Sequence, residues 1–216
     1  MYKHLTTSIL LIFFLLSFGQ TSAQVDDNIM WASVVISKNF SSKTSAAFAP
    51  ILRLEDDISQ YQNSSIDLSV KHKFANNCYG QVLSRVWFLP DNVYRKFFFF
   101  DVGYSRKVSP LKVSSYLRAH YALTIKDRKD PDFLRWGTTL SLTTFKKVQP
   151  FLFVEPFLRL NKQNELKQLR YALGVKLNLA KQLNLTLALR PQTTLNKDKE
   201  IKVNHVIVTL AYAVDK

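Results

Sequence analysis

The stretch Leu166–Ala180, LKQLRYALGVKLNLA, decides the fold. Leu169, Tyr171, Leu173, Val175, Leu177 and Leu179 recur at every second position, and Gln168, Arg170, Ala172, Gly174, Lys176 and Asn178 fill the places between. Successive side chains of a strand point to opposite faces, so this segment reads as a strand with one aliphatic and one charged face. Leu183–Thr194 repeats the pattern, with Leu185, Leu187 and Leu189 opposite Asn184, Thr186, Ala188, Arg190 and Gln192. Ser64–Phe74 sets Ile66, Leu68 and Val70 against Asp67, Lys71 and Lys73; Val113–Lys126 sets Leu117, Ala119, Tyr121 and Leu123 against Tyr116, Arg118, His120 and Ala122.

Eleven stretches of this kind lie near 30–40, 43–55, 63–75, 79–89, 94–107, 112–126, 133–145, 148–160, 166–180, 183–195 and 200–214. Most reach the roughly 9–11 residues with which a tilted strand crosses a bilayer, and they exceed the mean soluble strand of about 5–6. The polarity points the same way: the plain aliphatic face suits lipid, and the charged face suits an interior. The expected fold is all-β, an up-and-down antiparallel transmembrane barrel of ten to twelve strands, placed in the bacterial outer membrane. A secreted lipocalin-like barrel is the soluble alternative.

Links between the stretches alternate in length. Ser41-Ser42, Asn76-Asn77, Ser109-Pro110, Lys146-Lys147 and Lys181-Gln182 read as tight turns; Asp56–Gln62, Pro90–Val93, Asp127–Asp132, Asn161–Glu165 and Asn196–Lys199 read as longer connections. Outer-membrane barrels have short periplasmic turns and longer outer loops. Parity conflicts with this scheme, because an odd count sends the first and last strands in the same direction, and bacterial single-chain barrels are even-numbered. Either Gln24–Ile29 climbs through the lumen or forms a short extra strand, or one stretch lies outside the barrel wall.

The N-terminus explains how such a chain reaches its membrane. Met1–Ala23 reads as a cleaved secretory signal peptide for the Sec route: Lys3 and His4 precede the apolar Ile9–Phe18, and Thr21-Ser22-Ala23 supplies small residues before Gln24. Residues 24–216 then form a single barrel domain. The chain of 216 residues carries a net charge of +14, and loss of Lys3 with the leader leaves +13. That excess is scattered rather than gathered in a nucleic-acid-binding motif, so no nucleic-acid partner is expected. The single cysteine, Cys78, excludes an internal disulfide framework.

Trp31, Val34-Val35, Lys38, Phe40-Ser41, Lys43 and Arg53-Leu54-Glu55, followed by Arg85–Phe88, Asn92-Val93-Tyr94-Arg95 and Phe98–Asp101, form a pattern. It resembles the family catalogued as domain of unknown function 2490, exported proteins regarded as outer-membrane β-barrels. The resemblance covers roughly residues 30–214. It implies a location and a fold, with no activity, cofactor or catalytic residue. The chain ends Ala213-Val214-Asp215-Lys216 instead of in the aromatic residue common to outer-membrane proteins, with Tyr212 the nearest substitute.

The polar strand faces give a candidate lumen set. Its ten bases are Arg53, Lys71, Lys73, Arg85, Arg118, Arg135, Arg159, Arg170, Lys176 and Arg190; its four acids are Glu55, Asp67, Asp101 and Glu155. Buried ions are costly unless paired, which predicts a salt-bridged plug. The excess of bases leaves an anion-leaning pore as the second reading. A lipid-modifying enzyme would centre on His120, with Glu155 or Asp101 as partner, but no nucleophile signature accompanies it. No catalytic, cofactor or metal site is expected.

Lys126, Arg128, Lys129, Lys162, Lys197 and Lys199 on the longer links form a possible contact with lipopolysaccharide phosphates. Trp31, Trp87, Phe88, Tyr94, Tyr104, Phe133, Trp136, Phe145 and Phe151 are expected at interfacial girdles. In Phe97–Phe100, Phe97 and Phe99 should enter the lumen, joined by Phe151, Phe153 and Phe157.

Overall fold

In a computed structural model of the chain, residues 27–90, 93–123, 132–160, 165–195 and 201–214 are described. The signal-peptide reading and the basic link residues Lys126, Arg128, Lys129, Lys162, Lys197 and Lys199 lie outside them. The described residues are almost entirely strand: β1 (Asp27–Asn39), β2 (Thr44–Glu55), β3 (Gln60–Lys73), β4 (Cys78–Phe88), β5 (Tyr94–Val108), β6 (Leu111–Ala122), β7 (Phe133–Leu142), β8 (Val148–Arg159), β9 (Leu166–Asn178), β10 (Leu183–Thr194) and β11 (Ile201–Val214). Consecutive strands pair antiparallel around a closed eleven-stranded barrel. Closure pairs every strand on both sides, so no edge is left open along the wall.

The expectation of a wholly antiparallel wall is corrected at one seam. An up-and-down chain with an odd number of strands brings its first and last strands together pointing the same way. β1 and β11 accordingly pair in parallel, from Asp27↔Val203 to Lys38↔Val214. Asp27, Asn28 and Ile29 continue β1 rather than forming a separate strand. Asp and Asn are poor strand formers, which hid this extension; pairing with β11 supplies their order.

One connection is shorter than its composition suggests. The link read as Asp56–Gln62 closes within residues 56–59, because Asp56, Asp57 and Ile58 turn through positive φ (52°, 53° and 71°). Asp56 O accepts from Ser59 N at 3.1 Å, and Asp56 Oδ2 accepts from Gln60 Nε2 at 2.7 Å. That leaves Gln60 and Gln62 free to join β3.

Burial divides the wall into two unlike faces. Leu68 (57% exposed), Val102 (62%) and Trp136 (61%) stand outward with Val70, Val82, Leu117, Leu152 and Tyr171. Arg53, Asp67, Asp101, Arg135, Glu155, Arg190 and His205 are buried on the opposite face. Glycine permits close cross-strand packing inside. A Cβ on Gly137 would overlap the ring of Tyr116, its register partner, and one on Gly103 would overlap Tyr79. Each tyrosine thus lies flat across a glycine, covering backbone that no side chain shields.

The seam gives a direct test. In a Cys78→Ser background, Ser37→Cys with Ala213→Cys should form a disulfide on mild oxidation, since the two are register partners near a rim. Ser37→Cys with Val203→Cys should not, because Val203 lies at the opposite end of the seam. The reverse pattern would contradict parallel closure.

Candidate functional site: a buried arginine layer

The polar faces meet in one layer, in the half of the barrel nearer the 56–59, 89–93 and 195–200 links. Arg53 lies close to the end of β2, Arg190 one turn of pleat before the end of β10, and Glu155 a like distance from the end of β8. Alternation fixes their direction: each is flanked by outward residues such as Leu52, Leu189 and Val154, so it must point inward.

Two ion pairs are bidentate. Arg85 donates from Nε and NH2 to the Asp67 carboxylate at 2.6 and 2.5 Å, and Arg118 donates through the same edge to Asp101 at 2.7 and 2.7 Å. Each joins register partners on neighbouring strands, Asp67↔Arg85 and Asp101↔Arg118. The third carboxylate serves several groups. Glu155 accepts from Tyr116 Oη at 2.6 Å and lies 3.9 Å from Arg135 NH1 and 3.6 Å from Arg170 NH1. Arg170 also donates from Nε to Gln192 Oε1 at 2.5 Å.

Aromatic rings lie against the cations. Phe99, 1% exposed, has the guanidinium carbons of Arg85, Arg118 and Arg135 at 5.3, 5.2 and 5.4 Å from its ring centre. Trp31 has Arg53 at 4.2 Å and Arg190 at 4.1 Å, and Phe157 has Arg135 at 4.4 Å and Arg170 at 4.3 Å. A cation over a desolvated ring gains on the order of 2 kcal/mol, which offsets part of the cost of burial.

The candidate lumen residues therefore fall into two groups. Arg53, Asp67, Arg85, Asp101, Arg118, His120, Arg135, Glu155, Arg170 and Arg190 come together in the layer. Lys73 and Lys176 are exposed near the tight turns, and Lys71 is half-buried with Nζ 3.5 Å from the Tyr79 ring centre. Glu55 stays at the opposite rim, accepting from Gln62 Nε2 at 2.8 Å, and Arg159 is half-buried at the end of β8.

His120 does not have the partners proposed for catalysis. Asp101 is engaged by Arg118 and Glu155 by Tyr116, while His120 Nδ1 meets Arg135 NH2 at 2.8 Å. Phe97, Phe99 and Phe133 pack around its ring.

The girdle expectation needs a parallel correction. Trp31, Trp87, Phe133 and Phe151 share the inner face: Trp87 packs on Phe97 at 4.8 Å, Phe133 on Phe157 at 6.0 Å, and Phe151 lies across Gly174. Phe88, Tyr94, Tyr104 and Trp136 are exposed outside, and Phe145 is half-buried in the 143–147 link. Phe97, Phe99 and Phe157 are buried inside as the alternation required. His205, Tyr116, Asn63 and Ser65 also belong to the layer; strand alternation places Tyr116 on the inner face, but none of the four is in the candidate lumen set. Parity was the available signal, since His205 sits between Asn204 and Val206 on an otherwise outward-apolar strand.

Comparisons with protein-family models, curated proteins and solved structures gave no match.

Glu155→Gln should destabilise the barrel by about 3–5 kcal/mol, because it leaves Arg135 and Arg170 without their shared countercharge. Tyr116→Phe removes one bond to the same carboxylate and should cost about 1.5–3 kcal/mol. Gly137→Ala should fall in a similar range, about 1–3 kcal/mol, by forcing the Tyr116 ring aside. Urea unfolding in detergent, followed by tryptophan fluorescence, measures all three.

Proposed function

We infer that the chain is a bacterial outer-membrane β-barrel protein, structural and non-enzymatic, whose interior is closed by its own salt-bridged side chains. The observation that carries this reading is inverted polarity. Leu68, Val102, Leu117 and Trp136 stand exposed on the outer wall, while Arg53, Asp101 and Glu155 are buried within. A soluble carrier barrel places its polar face in water and its apolar face around a ligand. Here an apolar solvent outside suits the wall. Strands of ten to fifteen residues match the bilayer requirement. The resemblance to the domain of unknown function 2490 family fits the same reading, with Met1–Ala23 as the export signal and the basic outer links as contacts for lipopolysaccharide phosphates.

Closure of the interior favours a plug over a pore. Phe99, Arg53, Glu155, His205 and Asp101 are 1%, 2%, 3%, 3% and 5% exposed and come from four strands, β5, β2, β8 and β11. A water-filled passage between them would leave such lining groups open to solvent.

Cell fractionation with heat-modifiability on a gel tests the location: the chain should partition with the outer membrane and migrate faster before boiling. Recovery as a soluble periplasmic protein would end the proposal. In planar bilayers the folded protein should be electrically silent; discrete anion conductance lowered by neutralising Arg118 or Arg170 would favour the pore.

A further inference from the structure

The layer holds more positive charge than its carboxylates balance. Among the described residues, Arg85 and Arg118 take Asp67 and Asp101, so Arg53, Arg135, Arg170 and Arg190 are left with Glu155 alone. Buried charge without a counterion is among the costliest arrangements a protein can adopt.

The excess has a definite place. Arg53 (2% exposed) and Arg190 (9%) leave Nε and Nη2 without a hydrogen-bond partner among the described residues. These two nitrogens form the guanidinium edge with which Arg85 and Arg118 clasp their carboxylates. Two identical edges are thus paired in one part of the layer and unpaired in another. Arg53 and Arg190 have the Trp31 ring as a common neighbour, with guanidinium carbons 4.2 and 4.1 Å from its centre.

Their surroundings hold further unpaired groups. Trp31 Nε1, Trp87 Nε1 and Ser65 Oγ are buried and unpartnered too. Arg53 lies over Trp87 at 4.8 Å, and Ser65 is the register partner of Trp87. Guanidinium and indole nitrogens donate and cannot accept, so the single Ser65 hydroxyl is the one acceptor among these groups and cannot serve all of them. An acceptor-rich group would satisfy the cluster. A carboxylate has two oxygens and fills one edge, whereas the oxygens of a phosphate can serve two edges and an indole N–H as well.

We propose that the barrel interior binds one phosphate group, free or carried on a larger molecule, at the Arg53 and Arg190 edges beside Trp31. The site depends on the closed barrel and not on the membrane in which it sits. A soluble protein with the same interior would bind equally.

The test uses the folded full chain in detergent, exchanged into phosphate-free buffer, with heat-modifiability as the check of folding. Phosphorus released on unfolding is assayed in aqueous and organic extracts, and emptied protein is titrated with inorganic phosphate and, separately, acetate. The expected result is about one phosphate per chain, released or titrated. Aqueous phosphorus identifies a free or soluble phosphate, and organic phosphorus a lipid headgroup. Arg53→Gln and Arg190→Gln should each weaken phosphate binding at least tenfold while the barrel still folds. Arg53→Lys should weaken it as well, since it keeps the charge but loses the edge. Folded wild-type protein that neither releases nor binds phosphate overturns the proposal, whether water or acetate fills the site instead. Unchanged affinity in the folded variants overturns it equally. Variants that fail to fold leave the wild-type stoichiometry to decide.

Discussion

The shared carboxylate of Glu155 is the interaction on which the interior depends. Arg135, Arg170 and Tyr116 converge on it from both flanking sides of β8, and it is 3% exposed. At such burial the attraction between opposite charges is several times stronger than at a surface, and so is the cost of leaving one alone. Phe99, Phe157 and Trp31 offer ring faces to the guanidinium groups. Removal of one member disturbs all of them. The interior is therefore better regarded as a single network than as a set of independent pairs.

That network also orders the wall. Inward side chains come from every second residue of each strand, so a slip by one position would send charge to the outer face and leucine inside. The bidentate pairs Asp67–Arg85 and Asp101–Arg118 pin register between β3 and β4 and between β5 and β6. Tyr116 over Gly137 pins β6 against β7, and its hydroxyl reaches on to β8. The parallel seam has no ion pair of this kind among the described residues. It is held by a long backbone register, by Ser33 Oγ and Thr209 Oγ1 at 2.7 Å, and by Trp31 edge-on to His205 at 5.2 Å.

Much of this was legible in the sequence because period two survives in single strands. All eleven stretches became strands, and the inward places of Arg53, Arg170 and Arg190 followed from counting alone. Trp31 and Trp87 were misplaced because a tryptophan near a strand end suits a membrane interface equally well on composition. Parity put them inside, and the arginines they stack on lie on other strands, which no local pattern reveals. Lys73 and Lys176 share the inner parity but sit near the tight turns, where long amphipathic stems carry the charge to solvent. Asp27 and Asn28 look like a link because their strand character comes from β11, nearly the whole chain away. The distribution of three carboxylates among six arginines is likewise a property of the closed barrel.

The central claim is that this barrel wears its apolar face outside and its charges within. Quenching of single-tryptophan variants by brominated lipids in vesicles tests it most directly. Trp136 stands 61% exposed on the outer wall, whereas Trp31 is on the inner face with the guanidinium groups of Arg53 and Arg190 over its ring. The protein retaining only Trp136 should be strongly quenched, and the one retaining only Trp31 should not. Quenching of Trp31 with Trp136 unaffected, in a folded barrel, would contradict the account.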